Sequence, residues 1–60
     1  MLYYLINADR AKKTGVEIVI DISNNISQLK QSADYMYGNS EMEYQVKDEN
    51  GNVVYTTKVK

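Results

Sequence analysis

Carboxylates supply most of the reactive chemistry open to this sixty-residue chain. Glu17 and Asp21 fall on one side of a strand-like alternation, and Glu41 and Glu43 on one side of another, so either pair could do acid–base work if it were buried. A chain this short offers no deep pocket to desolvate them and raise a pKa. All four are therefore expected as solvated strand positions. Histidine and cysteine are absent, which removes the usual general base, the thiolate nucleophile and the soft metal ligands. Neither a phosphate-cradling G-x-x-x-x-G-K nor a G-x-S-x-G nucleophile turn occurs. No catalytic residue, cofactor or metal site is expected.

Three weaker patterns remain. Asp48-x-Asn50-x-Asn52 has the oxygen spacing that opens a calcium-binding loop, but such a loop needs glycine at its sixth position and glutamate at its twelfth, and Val53 and Val59 stand there. It reads as a hairpin turn. Asn25-Ile26-Ser27 matches a glycosylation acceptor, yet the apolar opening Met1–Ile6 is too short for a secretion signal and lacks a basic leader. Asn25 reads as a helix cap. Arg10, Lys12 and Lys13 form a basic cluster that could meet phosphate or an acidic partner, with Tyr3 or Tyr4 near enough in sequence to stack on a base. A net charge of −1 supplies no broad positive field for a nucleic-acid backbone, so nucleic acid is the weaker expectation for that cluster.

These residues are positioned by elements whose periodicities are plain. Leu2–Ala8 is rich in aromatic and branched residues and predicts a strand apolar on both faces, with Leu2, Tyr4 and Ile6 on one side and Tyr3 and Leu5 on the other. Residues 9–15, polar and ending in Gly15, predict a loop. Val16–Ile22 alternates, placing Val16, Ile18, Ile20 and Ile22 opposite Glu17 and Asp21, and predicts a second strand. Ser23-Asn24-Asn25 then supplies N-cap residues, and Asn25 with Gln28 resembles a capping box. In the helix that follows, Ile26, Leu29, Ala33, Met36 and Tyr37 fall within about 120° of arc, the width of one buried stripe, and Tyr35 points the opposite way. Gly38 is the residue expected to close the helix in the left-handed conformation.

Glu41–Lys47 and Asn52–Lys60 predict the last two strands, joined by Asn50-Gly51 as a two-residue type I′ turn. That turn sets Val46 against Tyr55, Tyr44 against Thr57 and Met42 against Val59 on one face, and Glu43 against Lys58 and Glu41 against Lys60 on the other. A three-residue loop would bring Met42 against Lys58 and lose that complementarity.

The resulting expectation is one small α+β domain over residues 1–60: a ββαββ arrangement, a four-stranded antiparallel sheet with one helix packed on one face. A domain of this size buries only about 60% of the surface its unfolded chain exposes, and it has no disulfide to reinforce it. Association is the remaining source of burial. One helix leaves a sheet face open, with Tyr3, Leu5, Val19 and Val54 as candidates for a face covered by a second copy in a homodimer. The expected function is a non-enzymatic, cytoplasmic interaction module that docks on a larger protein and blocks or bridges it, in the manner of small phage or mobile-element inhibitors. Its candidate partner contacts are Tyr35, Arg10, Lys12 and Lys13. The alternatives are a single-stranded nucleic-acid binder using Tyr3 or Tyr4 with residues 10–13, and a structural subunit that adds strands to a neighbour's sheet. Nothing approaches the apolar length of a membrane span.

Overall fold

The computed structural model describes residues 1–57. The elements run β1 (Tyr3–Asn7), α1 (Ala8–Thr14), β2 (Val19–Ser23), α2 (Ile26–Ser40), β3 (Tyr44–Asp48) and β4 (Val53–Thr56). All four strands join one antiparallel sheet in the order β2-β1-β3-β4, so the α+β class holds. The arrangement departs from ββαββ because the expected loop at residues 9–15 is a helix, α1. Asn7 caps it by accepting the Arg10 N–H at 2.9 Å, and Gly15 closes it at φ 78°, its N–H donating to the Ala11 carbonyl. Asp9 in the first turn and Lys12 and Lys13 in the last complement the helix dipole.

The core lies between α2 and one face of the sheet. Leu29 and Ala33 of α2 bury Leu5 of β1 and Tyr44 and Val46 of β3, with Tyr3, Ile26, Met36, Tyr37 and Tyr55 packed around them. The five-residue stripe expected on α2 is thus the one that faces the sheet. Asn25 caps α2 through the N–H groups of Ser27 and Gln28. The reciprocal half of the capping box goes elsewhere, since the Gln28 side chain accepts from the Ser23 hydroxyl at 3.2 Å.

At its far end α2 runs through Gly38 to Ser40, and Glu41 takes the left-handed conformation at φ 59° in place of Gly38. Asn39 Nδ2 donates to Tyr35 O at 3.1 Å and Ser40 Oγ to Met36 O at 2.9 Å within the last turn, and the Glu41 N–H closes the helix on the Tyr37 carbonyl at 2.7 Å. Strand β3 accordingly starts at Tyr44. Met42 is not paired in the strand; it is exposed, and Asn7 Nδ2 donates to its sulfur. Residues ahead of β3 are tied to α1 by Ala8 N–H on the Glu43 carbonyl at 2.8 Å and Glu43 N–H on Asp9 Oδ2 at 2.9 Å.

The β3–β4 connection corrects the expected turn and keeps most of its register. Only Gly51 of the Asn50-Gly51 pair has positive φ, 84°, which excludes type I′. Gly51 N–H donates to Asp48 O and Asp48 N–H to Asn52 O, both at 3.0 Å, closing a three-residue loop of Glu49, Asn50 and Gly51. Asp48 Oδ1 accepts from the N–H groups of Asn50 and Asn52, so the calcium-like spacing serves the turn. A bulge then inserts Val54 as an extra residue, because Lys47 faces Val53 while Val46 faces Tyr55. The two offsets cancel: Thr57 N–H donates to Tyr44 O at 3.0 Å, and Tyr44 N–H to Thr57 Oγ1 at 2.9 Å. The expected partners Lys58, Val59 and Lys60 lie outside the described residues.

Gly38 sits in a helix with open space where a Cβ would stand. Gly38→Ala should therefore raise stability by about 0.5–1 kcal/mol through helix propensity, and Glu41→Gly should add about 1 kcal/mol by relieving the left-handed position. Thermal melts followed by circular dichroism would register each as several degrees; a lowered melting temperature for Gly38→Ala would place the helix end back at Gly38.

Candidate functional site

Cross-strand pairing sorts the sheet residues by face. Leu5 pairs with Val46, Asn7 with Tyr44 and Tyr3 with Asp48 on the side covered by α2. Tyr4 pairs with Lys47 and Ile6 with Gln45 on the other. Two of the four residues expected on an outward dimer face are therefore misplaced: Leu5 is wholly buried beneath α2, and Tyr3 packs against that core. Val19 and Val54 are exposed but belong to β2 and β4, the opposite edges of the sheet. The structure does not bring the four together.

The face away from α2 is also less open than one helix would leave it. Ala8 and Ala11 of α1 line a hollow with Ile6 and Gln45, and Ile6 and Ala8 are buried. Glu17, from the segment between α1 and β2, forms an ion pair with Lys47 of β3. A row across this face reads Ile22, Tyr4, Lys47, Val53, with the charged pair inside it. Back-to-back packing of two copies through this face would have to bury that ion pair, at a desolvation cost that apolar contacts must offset.

The apolar surface that remains belongs to β2 and the residues leading into it. Val16, Ile18, Val19, Ile20 and Ile22 are each between 44% and 62% exposed, a concentration unusual for one seven-residue segment of a small protein. A bulge divides them. Asp21 faces Leu5 and Val19 faces Ile6, leaving Ile20 as the extra residue. Ile22, paired with Tyr4, and Val19, paired with Ile6, fall on the side away from α2. Val16, Ile18 and Ile20 instead line a cleft of about 170 Å³ with Asn7, Arg10 and Tyr44. The single stripe expected of Val16, Ile18, Ile20 and Ile22 is split between the two sides, and none of it enters the core.

The basic cluster is brought to this cleft by α1. Arg10 lines it, and Arg10 and Lys13 together border an adjoining hollow with Asp9, Thr14 and Met42. Lys12 turns away, its Nζ lying 3.6 Å from Glu43 Oε1. Among the described residues neither Arg10 nor Lys13 makes an ion pair. Tyr35 stands elsewhere, 75% exposed on the outer face of α2, where the helix phase put it.

A polar clasp on α2 was not foreseen. The Tyr55 hydroxyl of β4 donates to Asp34 of α2, and the Lys30 ammonium lies 5.4 Å from the centre of the Tyr55 ring. The hydrogen bond to Asp34, followed by burial and by the charge of that carboxylate, raises the Tyr55 pKa above its usual 10.0. Spacing gave one signal for it, since Lys30 and Asp34 are four residues apart on one helix face.

Comparison with protein-family models, curated proteins and solved structures finds no match for this chain. Within the described residues no helix is long and apolar enough to cross a membrane.

Two expectations follow, one for Tyr55 of β4 where it meets α2 and one for Tyr35 on the outer face of α2. A phenol whose folded pKa lies above its unfolded value contributes stability that is present below about pH 10 and is lost as pH rises through the folded pKa. Tyr55→Phe should therefore cost about 1 kcal/mol at neutral pH and flatten the alkaline limb of a stability–pH profile, measurable by urea unfolding. By contrast Tyr35→Ala should change stability by less than about 0.5 kcal/mol, and a large fall in melting temperature would show that Tyr35 is packed.

Proposed function

We propose that this protein is a non-enzymatic, cytoplasmic interaction module that docks on a larger protein and blocks or bridges it, with the side chains of β2 as its contact surface. The observation that carries this reading is the set of five branched aliphatic residues, Val16, Ile18, Val19, Ile20 and Ile22, left about half exposed beside a complete core. Burying a half-exposed aliphatic side chain contributes about 1 kcal/mol, so the set supplies roughly 5 kcal/mol. Association costs about 4–15 kcal/mol in lost freedom and ordering. Apolar burial alone thus supports a weak contact, and a durable complex needs polar complementarity as well.

The carboxylates support a non-catalytic reading, because several are engaged in holding the fold. Asp9 accepts the Glu43 N–H, Asp48 organises the turn, Asp34 holds Tyr55, and Glu43 accepts from Gln45 and Thr56 while facing Lys12. Self-association is a second reading, favoured by the presence of apolar side chains on both sides of β2. The nucleic-acid reading is weakened at Tyr3, which packs against the core, and retains Tyr4 on the sheet face away from α2.

The double variant Ile18→Thr/Ile20→Thr retains β-branched residues and should keep the wild-type melting temperature within a few degrees. Used as bait in cell extract, it should fail to retain a protein that the wild-type chain retains. Equal retention by both baits would remove β2 from the contact surface. Sedimentation equilibrium on the two proteins tests self-association: a dimer lost in the variant assigns the surface to a second copy.

A further inference from the structure

The geometry points to an acidic, aliphatic peptide segment of a partner protein as the occupant of the cleft between α1 and β2, an inference that rests on reading β2 as the contact surface. Three aliphatic side chains, Val16, Ile18 and Ile20, line this cleft, and Arg10 lines it with them. Its volume of about 170 Å³ suits one leucine-sized side chain, given that a buried cavity of roughly 150 Å³ accepts benzene. Such a cleft alone would take any aliphatic residue. Its charged border narrows the choice.

Arg10 and Lys13 are exposed, and neither has an ion-pair partner among the described residues. Of the acidic groups nearby, Asp9 borders the same hollow as the two cations and accepts from the Glu43 amide, while Glu17 pairs with Lys47 and Asp21 accepts from the Ile22 N–H. The cleft therefore presents an aliphatic wall with Arg10 in its lining and Lys13 in the adjoining hollow. A segment with aliphatic residues flanked by carboxylates complements both features at once, with the guanidinium of Arg10 able to take a carboxylate in bidentate fashion. Nucleic acid matches only the cations, since the exposed side chains of the cleft are branched aliphatic and its one aromatic, Tyr44, is buried and offers no open planar surface for base stacking. The cations are partly exposed, so the charge contribution should weaken with salt while the apolar contribution persists.

The test uses short soluble peptides with two leucines in a glycine–serine background, flanked by glutamate, by lysine or by serine. Each is titrated into the isotopically labelled full chain and followed by amide chemical shifts. The glutamate peptide should bind about tenfold more tightly than the lysine peptide at low salt, the gap narrowing as salt rises, with shifts centred on Arg10, Val16, Ile18 and Ile20. Arg10→Glu, a substitution in the first turn of α1 where an acidic residue suits the helix dipole, should fold normally and reverse that preference. Equal binding of the glutamate and serine peptides at the cleft would overturn the charge inference and leave the β2 contact reading standing, as would tighter binding of the lysine peptide. Absence of shifts with all three, in a chain that stays monomeric and whose β2 variant captures the same proteins, would overturn both.

Discussion

A four-stranded sheet has two faces and two edges, and this chain has one long helix with which to cover them. The stripe of α2 lies over Leu5, Tyr44 and Val46, and this contact defines the core. Tyr55 extends it toward β4 through Asp34. The other face is closed in part by a seven-residue helix and by one ion pair between Glu17 and Lys47. Neither device reaches the outer side of β2, one of the two edge strands. The exposed aliphatic surface is what remains after the helical cover is used up, and the first turn of α1 adds Arg10 to the cleft at its border.

The parts of the fold legible in the sequence are those fixed by local periodicity. The 3.6-residue spacing of Ile26, Leu29, Ala33, Met36 and Tyr37 needs only a helix to become a buried face, and Asn25 marks its start. Helix α1 was harder to see. Its polar composition contains no apolar stripe, and its true signals, a cap at Asn7 and a left-handed Gly15, are masked when Asn7 and Ala8 are given to the preceding strand. The end of α2 shows a related competition: Gly38 is the conformationally cheaper terminus, yet the helix continues through Asn39 and Ser40, whose side chains donate back to the Tyr35 and Met36 carbonyls, and the left-handed residue is Glu41. Bulges leave no periodic trace at all. Those at Ile20 and Val54 are set by tertiary pairing, and each redirects side chains that simple alternation assigns to one face.

The candidate site follows the same division. Tyr35 was placed correctly because helix phase alone determines its side, and the basic cluster was visible from composition. The meeting of Arg10 with Ile18 and Ile20 was not visible, since it depends on α1 being a helix whose closing turn returns the chain against β1. Leu5 and Tyr3 were assigned to an outward face because β1 is apolar on both sides; only the pairing with β3 shows which side α2 covers.

The edge position of β2 would ordinarily suggest recognition by strand addition, in which unpaired backbone groups accept a neighbouring strand. Two features point away from that mode. The bulge at Ile20 interrupts the regular two-residue spacing that a partner ladder requires. The Asp21 carboxylate accepts the Ile22 N–H at 2.8 Å, giving that amide an internal partner. Both are means by which β proteins discourage edge-to-edge association. They act on the backbone, however, and leave the aliphatic side chains of the strand exposed. A surface whose backbone is protected and whose side chains are not is suited to a partner that fills clefts and meets charges, and ill suited to one that extends the sheet. Strand addition is thus disfavoured at the β2 edge, and of the two edges only β4 is left to such a mode.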